Sequence, residues 1–147
     1  MKPLMKHICG LLIVGIIASC ATVPLTGRKQ LSLVNESEIQ QQAALVYKDL
    51  LGDSKTKVIK GTSQAQLVQK VGKNIASAVT RFLQENGYGN QYDFQWEFNL
   101  IQEDQINAWC MPGGKVAVYT GILPITKNEA GLATVMGHEV AHAIAKH

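Results

Sequence analysis

The 147 residues predict an α+β domain in which helices pack on a small antiparallel sheet. Three observations lead there: apolar residues at helical spacing between Ser63 and Leu83, strict alternation from Phe94 to Leu100, and a turn-forming Pro112-Gly113-Gly114 followed by a valine- and tyrosine-rich run. With 46% hydrophobic and 17% charged residues the chain can build one core, which separates it from disordered and fibrous sequences. The formal charge of +3, with no basic cluster interleaved with aromatics, argues against nucleic-acid binding.

The N-terminus has the layout of a signal peptide over residues 1–19. Lys2 and Lys6 precede an apolar run from Ile8 to Ile17 that ends in Ala18, Ser19 and Cys20. A bilayer span takes roughly 20 apolar residues, so this run is too short for a stable anchor. The tetrapeptide Ile17-Ala18-Ser19-Cys20 resembles the bacterial lipobox, which implies cleavage before Cys20 and lipidation of its thiol. Several acyl chains give stable anchoring where one gives only marginal binding. The expected partner of this end is therefore a membrane, and Ala21 after the cysteine implies, by the enterobacterial pattern, the periplasmic face of the outer membrane. Of the three cysteines, Cys9 leaves with the signal and Cys20 carries lipid, so Cys110 alone remains in the folded part and makes no internal disulfide. No His with Asn or Asp is arranged to activate it, which predicts a buried structural thiol.

Residues 20–34, with Pro24, Thr26 and Gly27 and no apolar period, read as a tether, and residues 35–147 as the folded part. A first helix is predicted from near Asn35 to about Leu51, ended by Gly52-Asp53. A second starts at Ser63, where Ser63 and Gln66 fit a capping box, and carries Leu67, Val68, Val71, Ile75, Ala78, Val79, Phe82 and Leu83 as its core face. Gly87 and Gly89 close it. Phe94, Trp96, Phe98 and Leu100 then form the buried side of a strand, and Lys115 to Thr120 a second strand in the same sheet. A last helix begins around Thr126 to Glu129 and continues to the end, with Leu132, Val135 and Met136 on its apolar side.

That helix contains His138-Glu139-Val140-Ala141-His142. Residues four apart lie on one helical face with Cβ atoms about 5 to 6 Å from each other, so both imidazoles can reach one ion. Zn2+ bound to nitrogen at about 2.0 to 2.1 Å suits such a pair, with the fourth position left to water. Glu139 is then the candidate general base, and the reaction class is metal-assisted amide hydrolysis of polypeptide substrates. The small residues Gly137, Ala141 and Ala143 suggest close approach of neighbouring elements.

These residues, together with Val23-Pro24-Leu25-Thr26-Gly27-Arg28, the run from Asn107 to Val116, Tyr119-Thr120-Gly121 and Asn128-Glu129, resemble the lipoprotein branch of the HtpX/BepA/LoiP-type zinc metallopeptidases, a gluzincin-like group more distantly similar to the CAAX prenyl proteases. The resemblance implies a metalloendopeptidase acting on unfolded or misassembled envelope proteins. It also implies that the strand after Pro-Gly-Gly, here Val116, Ala117 and Val118 through Thr120, borders the cleft and receives extended substrate as an added strand. Asn107 and Ala108 would lie beside the cleft, or serve only turn and sheet geometry. The family's third zinc ligand is a glutamate on a later helix, so the 147 residues read as an incomplete metallopeptidase domain, inactive by itself; His147, nine residues from His138, falls on the wrong side of the helix to substitute. The alternative is a lipid-anchored peptide-binding or chaperone-like module that holds extended segments without cutting them.

Overall fold

Alternation along the segment before residue 101 builds the centre of the molecule. In the computed structural model, which describes residues 20–31 and 34–146, the strand β4 (Glu97–Ile101) lies beside β6 (Lys115–Tyr119) in a four-stranded sheet of order β3-β4-β6-β5, where β3 is Val58–Ile59 and β5 is Ala108–Met111. The α+β class holds, but the sheet is mixed rather than antiparallel: β4 and β6 run parallel, while β3–β4 and β5–β6 are antiparallel. The reason is β5, a strand the periodicity does not reveal because Ala-Trp-Cys-Met does not alternate. It pairs on the outer side of β6 through the Met111–Lys115 turn, where Gly113 and Gly114 take φ of 82° and 86° that residues with a Cβ rarely adopt. Two reversals separate β4 from β6, which leaves them pointing the same way.

The sheet is covered on both faces. Helices α2 (Ser63–Glu85) and α4 (Glu129–Ile144) pack on the face formed by Phe98, Leu100, Ala108, Val116 and Val118, burying Val68, Val71, Leu132, Met136 and Val140 among them. Each such large apolar side chain stabilises the fold by about 1.5–3 kcal/mol. Helix α1 (Glu36–Gly52) covers the other face, where Tyr47 packs on Ile101 and Ala117 and stands edge-on to Trp109 at 5.7 Å. The phenol donates to the Val116 carbonyl at 2.6 Å and accepts from the Asn99 amide at 3.1 Å, so its buried hydroxyl is satisfied.

The helix boundaries fall close to those expected, and one cap differs. Asn35 caps α1 by accepting from Ser37. At α2 the cap is Thr62 rather than Ser63: its hydroxyl accepts from the Ala65 N–H at 3.1 Å, and Gln66 donates to the Gly61 carbonyl instead of closing a capping box. Gly87 at φ 78° ends α2, with the Tyr88 N–H bonded back to Leu83 and that of Gly87 to Gln84. Gly72 is needed where α2 crosses β4, since a Cβ there would stand 2.4 Å from the Phe98 ring. Before β4 the chain is extended, and Tyr92, Phe94, Trp96 and Phe98 stack in succession with centroids 5.7, 4.5 and 6.0 Å apart. A one-turn helix, α3 (Leu123–Thr126), precedes α4 and was not foreseen.

The segment read as a tether has structure of its own. Strands β1 (Cys20–Thr22) and β2 (Lys29–Leu31) form an antiparallel hairpin whose turn buries Val23 and rests Leu25 on the main core. The expected signal peptide, residues 1–19, lies outside the described residues, as does His147. Among the described residues no helix is long and apolar enough to cross a membrane.

Candidate metal-binding active site

Helix α4 is fixed at both ends. Asn128 caps its start, accepting from the Gly131 N–H at 2.9 Å, and Gly131 itself lies so close to the Thr126 carbonyl that a Cβ would be 2.1 Å from the oxygen. At its other end the last carbonyls meet donors from distant segments. The Arg28 guanidinium donates to the Ala145 and Lys146 carbonyls at 3.2 and 2.8 Å, and the Tyr92 hydroxyl to that of Ile144 at 3.1 Å. A cation there also complements the helix dipole. Lys146, at φ 54°, reaches back to Glu36 at 2.8 Å and lies over the Tyr92 ring.

Leu132, Met136, Val140 and Ile144 share the buried side of α4 at spacings of four, which turns His138 and His142 outward together. Their Nε2 atoms are 2.9 Å apart and the rings stand edge to face at 4.4 Å. The two ring nitrogens thus lie side by side on the exposed face of α4, a two-nitrogen donor set. Glu139 is half-buried. Among the described residues no group of three His, Cys, Asp or Glu side chains is assembled for a metal. Among the described residues nothing packs closely on Gly137 or Ala141: a Cβ added at Gly137 meets nothing within 4 Å, and Ala141 is exposed. Their smallness keeps the surface around the histidines low.

The strand assigned to the cleft is corrected by the topology. Val116, Ala117 and Val118 are fully buried, and β6 is paired on both sides, by β4 and by β5, so it has no edge to offer. Among the described residues the sheet's open edge on this side is β5, which packs directly against α4. Its main-chain polarity can be assigned. The Tyr119 N–H donates to the Asn107 carbonyl at 3.0 Å, so Asn107 and Tyr119 form a hydrogen-bonded pair. Bonded and non-bonded pairs alternate along an antiparallel ladder, so Trp109 and Met111 also face β6, while Ala108 and Cys110 turn their N–H and C=O to the open side. Of the two residues expected beside the cleft, Asn107 is thus engaged with β6 and Ala108 presents main chain to the edge, its side chain buried in the core.

Sequence reasoning passed over the main chain of Cys110. Its signal was the unalternating Asn107–Met111 run ahead of a Pro-Gly-Gly turn. The thiol itself is half-buried, and burial, with a smaller contribution from the nearby Glu139 carboxylate, pushes it up to about 12 from 9.0. It stays protonated at neutral pH and is no nucleophile, as expected of a structural cysteine.

Comparison with known proteins agrees with this geometry. The chain is 30% identical over 125 residues to the mitochondrial metalloendopeptidase OMA1 of Schizosaccharomyces pombe, covering 85% of this chain and 34% of that protein. It is 26% identical over 129 residues to the beta-barrel assembly-enhancing protease of Escherichia coli, covering 88% of this chain and 24% of the relative. Over a shorter stretch of 52 residues, 35% of this chain and 11% of the relative, it is 50% identical to the OMA1 metalloendopeptidase of Arabidopsis thaliana. The chain therefore spans about a third or less of the length of these relatives. Residues 64–147, from the start of α2 through both histidines, match the model of peptidase family M48, and the chain belongs to that family.

Proposed function

We propose that these residues are the part of a zinc-dependent metalloendopeptidase that supplies two metal ligands, the general base and the substrate-binding edge. The observation that carries this is the pairing of His138 and His142, with Nε2 atoms 2.9 Å apart on one exposed helix face, Glu139 next to them in the chain and the open edge of β5 alongside. The donor set fits zinc: bonds of about 2.0–2.1 Å at a tetrahedral angle set ligand nitrogens ~3.3 Å apart, a few tenths of an ångström more than the 2.9 Å between these two. Bound there, zinc supplies a Lewis acid and a water acidic enough to ionise near pH 7. Glu139 would act as general base, taking a proton from the attacking water and returning it to the leaving amine. Ala108 and Cys110 hold extended polypeptide by main-chain bonds, which fixes the scissile carbonyl against the histidines.

Catalytic zinc sites ordinarily use three protein ligands. A third, from outside the described residues, completes the pair in this reading; without it the chain binds zinc weakly and holds peptide without cutting it. Lipidation at Cys20 is proposed from the resemblance of residues 17–20 to the lipobox, the periplasmic face of the outer membrane from Ala21 after it, and unfolded or misassembled envelope proteins as substrates, in keeping with a relative named for β-barrel assembly.

In protein extended to include that ligand, Glu139→Gln should lower kcat by about 10²-fold or more while zinc content and peptide binding stay as in wild type. Retained cleavage in Glu139→Gln, or chelator-insensitive cleavage, would remove the metallopeptidase reading. Cys20→Ser, expressed in a bacterial host, should move the protein from the membrane to the soluble fraction; unchanged fractionation and processed mass would remove the lipid anchor.

A further inference from the structure

A cavity of about 210 Å³ opens beside His142, walled by Ile39, Cys110, Pro112 and Ala143. The early turns of α1 bring Ile39 to it: they lie beside the β5–β6 turn, where a Cβ added at Gly113 would stand 3.5 Å from the Gln40 side chain. The Lys146–Glu36 ion pair, 2.8 Å apart, closes one side. Small-molecule sites run from roughly 300 Å³ upward, so this volume suits one side chain rather than a whole ligand.

The register of β5 says which side chain would enter. Cys110 directs its main chain to the open edge and its side chain, like that of Ala108, to the sheet face packed on α4. A residue paired directly across from Cys110 on an added strand projects to that same face. Its side chain would therefore be delivered to the cavity between Cys110 and His142. Apolar walls favour an apolar occupant. The two charges at the border, Glu36 and Lys146, are paired with each other, so an acidic or basic side chain entering between the apolar walls would lose water and have to compete with that pair.

We propose that this cavity is a specificity subsite of the β5 edge, and that it selects a medium-sized aliphatic side chain, of leucine or methionine size, at the substrate residue paired with Cys110. The inference rests on the reading of β5 as the edge that receives polypeptide. Ile39 is its size-setting wall, because it comes from a surface position on α1 that is 39% exposed and so can be altered without opening the core.

The test measures binding of fluorescein-labelled heptapeptides of alternating Ser and Thr, with Gly, Val, Leu, Phe, Asp or Lys at the central position, to the full 147-residue chain and to Ile39→Trp and Ile39→Ala, each checked for folding by circular dichroism. The wild-type chain should favour Leu over Gly, Asp and Lys by about tenfold or more. Ile39→Trp should abolish that preference, and Ile39→Ala should transfer it to Phe. Opposite shifts from one position are not produced by a general loss of stability. Binding of all peptides with the same order of preference in the three proteins would overturn the subsite while leaving the β5 edge in place. Failure of every peptide to bind would overturn both. Zinc-dependent cleavage, scored separately in the extended protein, bears on the peptidase reading alone.

Discussion

Tyr47 ties helix α1 to the two central strands, β4 and β6, through a single hydroxyl. Its ring is 1% exposed, it donates to a main-chain carbonyl of the central strand, and it holds the Asn99 amide, which in turn bonds Glu97. Burial, reinforced by the charge of Glu97 and opposed by the Asn99 hydrogen bond, raises the phenol from 10.0 to about 12. In the unfolded chain the proton leaves first as pH rises. The stability tied to this group is therefore complete below pH 10 and is lost as pH climbs through the interval to about 12, by on the order of 2 kcal/mol over the whole range. Tyr47→Phe should cost about 1–2 kcal/mol at pH 8, since the Val116 carbonyl and the Asn99 amide lose their partner in a dry site. It should also flatten the decline above pH 10. Urea titrations of both proteins at pH 8 and pH 11 check this, and equal slopes of stability against pH would disprove the assignment. None of this was legible in the sequence: Tyr47 sits in a helix whose apolar stripe is weak, and its partners lie 52 and 69 residues away.

At the scale of elements, legibility followed periodicity. The stripe from Leu67 to Leu83 and the alternation from Phe94 to Leu100 were visible because each repeats one environment several times along the chain. Helix α4 and its paired histidines were visible for the same reason. The short elements were not. β5 is four residues whose neighbours differ on every side, and α3 is a single turn begun by Pro124 near its first position. The VPLTGR hairpin was read as a tether because nothing local reports that Arg28 bonds carbonyls 117 and 118 residues further on. That contact belongs to the site: Arg28, Tyr92 and the Lys146–Glu36 pair all grip the last turn of α4, one turn past His142. A helix end otherwise left with unpaired carbonyls is thereby anchored to three separate segments, which holds the second imidazole in place.

Strand order is a property of the whole molecule, and it decides which of two adjacent strands has a free edge that the proposed substrate strand could join. Sequence pattern made β6 the attractive choice, since Val116, Ala117 and Val118 look like a strand and follow the Pro-Gly-Gly turn. Only the path of the full chain, out from β4 to β5 and back into the centre, reveals that β6 is enclosed and β5 is the edge. The two assignments give opposite outcomes for proline. At Val118 the register makes a non-bonded pair with Ala108, so its N–H serves the β4 side of a central strand. Val118→Pro removes that donor and pushes a ring into the fully buried core, and it should unfold the protein or lower its stability by about 3 kcal/mol or more. At Cys110 the N–H points away from β6, where a proline breaks no ladder bond. Cys110→Pro should therefore melt cooperatively, at a temperature much nearer wild type than Val118→Pro, yet bind extended peptides at least tenfold more weakly because the edge has lost a donor. Thermal melts followed by peptide binding on the folded variant measure both. Should Cys110→Pro fold and bind peptide as tightly as wild type, β5 is not the edge that receives substrate, and the site must take its polypeptide across α4 by side-chain contacts alone.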